Sequence, residues 1–344
     1  MARRRDPDVV VVGAGPAGCA TALAAARRGL RVELLHRGER ARRDRQETLH
    51  PGIEPLLRRL GADSTLHHGS FRRHAGHAVA WHGQPAFAAY GADAGGPWLG
   101  FQVGRRAFDD ALRAHVQAAG VTVTETRRIE PVMAPNGPVL GVRHAAGATE
   151  ARFVVDAAGG SHWLSRRLGL AVRRYSPRLV ARYGVSSCIG TAHTTPAIAA
   201  DAAGWLWTAP LSDGTVAWVR LVLSPGMAPH GLEPDADASG ADVTWRFVEA
   251  AAGPGYVLVG DAAFVLDPLS SHGVLHAVMS AVLAADAIAD ALSVGLATPV
   301  AGAYLRWSSA RFATDVLHLR ALYADLPRPP AWVWDGLSHG AGAR

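Results

Sequence analysis

The sequence predicts an α/β fold: a parallel sheet opened by a βαβ unit, an antiparallel sheet interleaved with it, and helices at the C-terminal end. Three observations carry that expectation. Val9–Val12 is an all-branched run leading into Gly13-Ala14-Gly15-Pro16-Ala17-Gly18 and an alanine-rich stretch that ends near Gly29. Two further apolar runs, Phe153 to Gly159 (FVVDAAG) and Tyr256 to Asp261 (YVLVGD), each end in a turn bearing aspartate and glycine. Residues Val216 to Leu223 alternate as a half-buried antiparallel strand does.

In chain order, Val9–Val12 reads as a strand buried on both faces. Gly13 permits the tight turn, Gly15 lets a pyrophosphate approach the backbone, and Gly18 lets the following helix pack on the strands. Arg31 to Leu35 reads as the second strand, completing a dinucleotide-binding unit of the expected length. Its end usually carries an acid for ribose hydroxyls; His36 stands there instead, and Glu33 points by alternation into the packed region. Residues 71–100, with Trp81, Phe87, Tyr90 and Trp98 and with Phe101 just beyond, and residues 170–245, with Trp205, Trp207 and Trp218, read as the antiparallel sheet with an aromatic lining. Ser224 to Ala241 reads as an exposed loop. Gly273 to Leu292 reads as a long helix, and Ala310 to Leu322 as a C-terminal helix ending before Pro327.

Composition narrows the class. The 344 residues are 49% hydrophobic, enough for a large core in one or two domains. The net charge of +6 rests on arginine, because the chain contains no lysine. Those arginines, dense from Arg27 to Arg45, lie between glycines and apolar strands without a nucleic-acid-binding motif. Only Cys19 and Cys188 occur, which excludes a disulfide framework and suits a reducing cytoplasm. The Met1–Arg5 start runs into Asp6-Pro7-Asp8 rather than a signal peptide, and no run reads as long and uninterrupted enough to span a bilayer. The histidines from His67 to His82 fit no ligand spacing, so no metal is expected. A soluble, cytoplasmic protein with neither nucleic acid nor membrane as partner is the expectation.

The order of the glycine motif, FVVDAAG and YVLVGD, continuing as GDAAFVLDPLSSHG, resembles the para-hydroxybenzoate hydroxylase-like flavoproteins. Aromatic hydroxylases, flavin-dependent halogenases and geranylgeranyl-type reductases belong to that superfamily. Arg105-Arg106-Ala107-Phe108 resembles its RxxF segment, and Gln46-Glu47-Thr48-Leu49 its GESL segment with glutamine for glycine. The resemblance implies FAD as cofactor and a single-Rossmann FAD-binding domain made of residues 1–70, 101–169 and 246–344. Residues 71–100 and 170–245 would then bind substrate. Implied cofactor contacts are Gly13, Gly15, Ala17, Gly18, His36, Arg37, Glu47, Arg105, Asp156, Gly159, Asp261, Gly273 and Val274. Asp261 ends a strand of an open sheet, where a carboxylate can accept from ribityl hydroxyls. The helix opening at Gly273 would turn its amides toward the pyrimidine end of the flavin, which is anionic when reduced.

Trp205 to Pro210 resembles the halogenase segment WxWxIP, with Ala209 for isoleucine. Flavin halogenases use a lysine to deliver hypohalous acid, so the absence of lysine disfavours that route, and these tryptophans read as strand residues packing the second domain. ETLHPGIEPLLRRLG, DVTWR and DPLSSHGVLHAVMS are similar to segments of the flavoprotein maturases that hydroxylate tryptophan in tryptophylquinone formation. The expected activity is hydroxylation of an indole or phenol, free or in a peptide, through a flavin C4a-hydroperoxide. His272, His50 and Pro268 are the catalytic candidates, His272 as proton donor, substrate ligand or mere helix cap. One dinucleotide motif means that electrons come from visiting NAD(P)H or from a separate flavin reductase. An FAD-dependent reductase without oxygen insertion and a non-catalytic FAD-binding docking partner are the alternatives.

Overall fold

Strands rich in β-branched residues and buried on both faces need helices above and below them, and the chain supplies both. The computed structural model describes residues 6–38, 45–81, 85–135, 137–145, 147–187, 195–223, 239–294 and 298–334. Met1–Arg5, the arginines between 39 and 44, His82, Cys188 and most of the Ser224–Ala241 stretch lie outside the described residues.

The six-stranded sheet runs in the order Thr122–Glu125, Val32–His36, Val9–Val12, Phe153–Asp156, Tyr256–Leu258 and Ala252–Gly253. The first five strands are parallel and the last is antiparallel. All four valines of Val9–Val12 are buried. The helix Pro16–Arg27 packs on the helix Gly273–Val294, and both carry buried alanines, among them Ala20, Ala24, Ala277 and Ala281. This second helix corrects one expectation. Gly273–Ser293 is long and apolar enough to cross a membrane by composition, and in the fold it is a largely buried core helix.

Glu130–Met133, Val139–His144 and Gly147–Glu150 form an antiparallel meander beside the parallel sheet. Pro131, Gly141 and Gly147 interrupt those strands, which removes the periodicity that would reveal them. Glu33 is half-buried and accepts from Thr124 Oγ1 at 2.8 Å, as its inward alternation implied.

A seven-stranded sheet carries the aromatic segments: Ser239–Asp242, Val180–Ser187, Thr215–Val222, Gly204–Pro210, Ala197–Asp201, Gly76–Ala80 and Ala86–Ala89. Its pairs are antiparallel except Ala197–Asp201 with Gly76–Ala80, which run parallel. Within 71–100, Arg72–His74 departs from this sheet and pairs with Gly100–Gly104, which pairs in turn with Gln46–Leu49. Trp205 and Trp218 are buried strand residues. Trp205, Trp245, Phe247, Phe264, Phe312 and Tyr323 form a second core between this sheet and the helix Thr298–Ala324.

Candidate functional site

The glycine loop is shaped by close approach. Gly13 sits at φ +113°, and a Cβ there would lie 2.4 Å from the Ala157 carbonyl oxygen. A Cβ on Gly18 would fall 1.7 Å from the Gly13 oxygen, so the helix could not seat against the loop. Gly15 caps the helix without a side-chain partner, and a Cβ there would meet only the Arg105 guanidinium, at 3.7 Å. Open space therefore fronts the first-turn amides of Ala17 and Gly18, which have no intrahelical acceptor. Ala17 is buried, its methyl beside Gly260, so it offers its backbone amide alone. Such a loop has the open space and free amides that a diphosphate would need.

Arg105 stands over that loop. Its Nε donates to Asp109 Oδ1 at 2.9 Å and its Nη1 to Glu47 Oε1 at 3.0 Å. Burial works against the guanidinium charge, and Asp109 and Glu47 more than restore it. His36 ends the second strand, half-buried, with Nδ1 accepting from the Gly38 amide at 3.2 Å. Its proton therefore sits on Nε2, a donor for a ribose oxygen. Burial, helped by Arg113, lowers its pKa. Arg37 is exposed beside it.

Two neighbouring aspartates divide the work in a way the sequence does not show. Asp156 is fully buried, with Oδ1 accepting from the Ala158 amide at 2.9 Å and Oδ2 from the Leu164 amide at 2.8 Å. Burial pushes its carboxyl up to about 6. With no surface to offer, Asp156 holds the turn; its assignment as a cofactor contact is corrected, because both oxygens are taken by backbone. Gly159 lies at φ +73°, and a Cβ there would meet nothing within 4 Å, so the turn is open at that point. Asp261 keeps an exposed face although protein surrounds it closely, as a group on the wall of a deep cleft does. That crowding raises its pKa against the pull of Arg105, Arg45 and Arg246.

The loop from Pro268 to His272 leads into the helix at Gly273. Pro268 is exposed and opens a single 3-10 turn; Gly273 is exposed and Val274 half-buried. Ser271 takes the left-handed conformation at φ +50° and turns the chain into His272. The His272 ring meets His50 edge to face, centroids 5.5 Å apart, and His50 meets Tyr90 at 5.4 Å. His74 and His77 lie 5.6 and 5.9 Å from the same tyrosine ring. Burial lowers the pKa of all four histidines, that of His272 to about 4, and lifts the Tyr90 hydroxyl to about 12. The cluster is thus a set of uncharged rings near neutral pH. His50 Nδ1 accepts from the Gly52 amide at 3.0 Å, and the buried His272 Nδ1 has no hydrogen-bond partner among the described residues.

The DVTWR segment has a role that its sequence alone does not reveal. Arg246 Nε donates to His162 Nε2 at 2.7 Å, and His162 Nδ1 donates to the Ala262 carbonyl at 3.0 Å. This pair ties the Asp261 turn to the Gly159 turn. No local pattern announces it; only the unusual left-handed His162, at φ +49°, marks the place. Among the described residues no group of acidic, histidine or cysteine side chains is arranged to hold a metal ion.

The tryptophan halogenase family model matches residues 91–304, more than half of the chain, and an FAD dependent oxidoreductase model matches residues 8–98. A tryptophan 2-halogenase of Chondromyces crocatus is 24% identical over 77% of this chain, which spans 58% of that protein's length. A menaquinone reductase of Mycolicibacterium smegmatis is 28% identical, covering 78% of this chain and 72% of its own. Among solved structures, the flavin-dependent halogenase CmlS superposes with a TM-score of 0.81 at 24% identity, over 96% of this chain and 67% of that one. The peptidyl tryptophan dihydroxylase QhpG, essential for tryptophylquinone cofactor biogenesis, gives 0.72 at 26% identity, over 95% and 78%.

Proposed function

The chain belongs to the tryptophan halogenase family and is an FAD-dependent oxidoreductase, and from that premise we propose that it hydroxylates an electron-rich aromatic substrate, an indole or phenol, with a peptide-borne tryptophan as the favoured form. The observation that carries this reading is the joint presence of the family's FAD cradle and a sequence wholly without lysine. Capture of hypohalous acid needs such an amine, whereas transfer of oxygen to an aromatic ring does not. The likeness to QhpG, a peptidyl tryptophan dihydroxylase, supports the peptide-borne form.

The residues present fit FAD. Gly13, Gly15 and Gly18 would leave room for the diphosphate, Arg105 would offset its negative charge, His36 would donate to the adenosine ribose, and Asp261 would accept from the ribityl chain. Bound and reduced, FAD supplies the activation of dioxygen. The chain's own part is to bind, orient and keep the reaction dry. The uncharged rings of His50, His272 and Tyr90 suit a neutral aromatic ring seated between the seven-stranded sheet and the helix at Gly273. His272 Nδ1, buried and without a hydrogen-bond partner among the described residues, would accept the proton that the substrate ring loses. Reducing equivalents come from NAD(P)H or from a partner flavin reductase.

Oxygen-18 gas supplied to the reduced holoenzyme with tryptophan-containing peptides and free indoles tests the reading. One labelled oxygen atom in the product is expected. The likeness to menaquinone reductase favours a second reading, reduction of a substrate without oxygen insertion. Turnover that yields a reduced, unlabelled product would establish that one and end the hydroxylase assignment.

A further inference from the structure

Four polar side chains from distant parts of the sequence meet below the Pro268–His272 loop. Asp267, Trp205, Trp245 and Tyr323 are all at most 1% exposed. Asp267 Oδ2 accepts from Trp245 Nε1 at 2.6 Å and from the Tyr323 hydroxyl at 2.9 Å. The Tyr323 oxygen in turn accepts from Trp205 Nε1 at 2.9 Å. Asp267 Oδ1 accepts from the Leu269 amide at 3.0 Å, inside the loop itself. Trp332 closes the set from the C-terminal side, edge-on to Trp245 with centroids 5.1 Å apart.

The bonds span 22, 56 and 118 residues of chain. They therefore join three bodies: the seven-stranded sheet through Trp205, the C-terminal helix through Tyr323, and the loop through Asp267. Burying a carboxylate is costly unless donors surround it, and here three donors converge on one group. An apolar side chain would fill the same space, but it could not fix the loop's direction. His272 lies five positions after Asp267, with one 3-10 turn and the left-handed Ser271 between them. The Ser270 hydroxyl also donates to the Asp267 carbonyl, at 3.2 Å. So short and so constrained a link passes the setting of Asp267 on to His272.

We propose that Asp267 and Tyr323 are positioning residues whose buried hydrogen bonds to Trp205 and Trp245 latch the His272-bearing loop to the seven-stranded sheet and the C-terminal helix. The inference rests on the proposed reading only in taking this loop to face the flavin. Burial lifts the Asp267 carboxyl to about 6 although its oxygens are satisfied. A change in the sheet, such as substrate seating, is thereby felt at His272 without any contact between them.

Amide hydrogen exchange across residues 267–273 of the FAD-loaded protein tests the latch. Trp205→Phe removes one indole donor far along the chain, Tyr323→Phe removes only an oxygen, and Trp218→Phe is the control. Trp218 is also buried in the sheet and loses an equivalent bond, to Ser186 Oγ at 3.1 Å, that has no link to Asp267. Exchange at the Leu269 amide is expected to speed up by roughly ten-fold in Trp205→Phe and Tyr323→Phe, and not in Trp218→Phe. Unchanged exchange in Tyr323→Phe, or an equal rise in all three variants, would overturn the latch. Tyr323→Phe alone decides the matter if Trp205→Phe does not fold. Protection of residues 268–273 by added FAD in the unsubstituted protein reports separately on the flavin-facing reading, so the two stand or fall apart.

Discussion

His50 and His272 come from opposite ends of the sequence and meet edge to face, ring centroids 5.5 Å apart. Burial is the main cause that keeps both uncharged near neutral pH, and a charge on His50 would lower the pKa of His272 further. A positive charge on His50 would therefore disfavour one on His272, and both rings stay neutral near neutral pH.

For His272, replacement by glutamine is expected to lower kcat by roughly a hundred-fold, the scale of a lost proton-transfer group. His50→Gln should cost less, because its Nδ1 already serves the Gly52 amide. A neutral His272 with a pKa near 4 implies a kcat that stays level as pH falls from 8 to about 5 and drops below that. Steady-state rates across that range, for each variant, check both statements.

Arg105 links the glycine loop to Glu47 and Asp109. Arg105→Ala removes a charge-assisted partner of the diphosphate and leaves two carboxylates facing it. The FAD Kd should rise by roughly thirty-fold or more. Arg105→Lys should recover only part of this, since an ammonium cannot hold both carboxylates in a fork. Fluorescence titration of the apoprotein with FAD measures it.

At Gly13 both the positive φ and the contact with Ala157 forbid a side chain. Gly13→Ala is expected to cost about 3 kcal/mol and to lower Tm accordingly. Gly159→Ala carries the positive φ without any contact within 4 Å, and should cost only about 1 kcal/mol. Thermal denaturation of the two variants side by side separates conformational strain from collision.

His276 is buried against Phe264 and Trp307, stacked on the latter at 8°, and neither ring nitrogen meets a partner in hydrogen-bonding geometry among the described residues, although the Gly260 backbone is near. Burial drives its pKa from 6.5 to about 3. The unfolded chain takes up this proton below about pH 6.5 while the folded chain refuses it, so stability is lost as pH falls through that window. His276→Phe should stabilise the protein by about 1 kcal/mol at neutral pH, and by more at pH 5. Asp156 and Asp267, raised to about 6, act in the opposite sense between pH 6 and 4. Comparing variant and unsubstituted Tm at each pH cancels their contribution.

The glycine loop, the Asp261 turn, the second strand ending at His36 and the long helix from Gly273 are all legible in the sequence. Each depends on a local requirement: a positive φ, a close backbone approach, a free first-turn amide, or a strand buried on both faces. Such requirements act within a few residues of one another and leave a pattern in any short window. The meander of residues 130–150 is not legible, because prolines and glycines break its alternation.

What only the tertiary structure decided is which partner each polar group takes. FVVDAAG announces a strand and turn, but not that Asp156 faces inward to the Leu164 amide while Asp261 keeps an exposed face. Glu47 and Arg105 are each candidates by motif, and only packing makes them a pair. Asp267, Tyr323 and Trp205 carry no signal as a set, since nothing local binds residues so far apart in the chain. The sequence by itself determined where backbone geometry is constrained; the burial of long-range hydrogen bonds, which exists only once the cores have closed, decided what each constrained place holds.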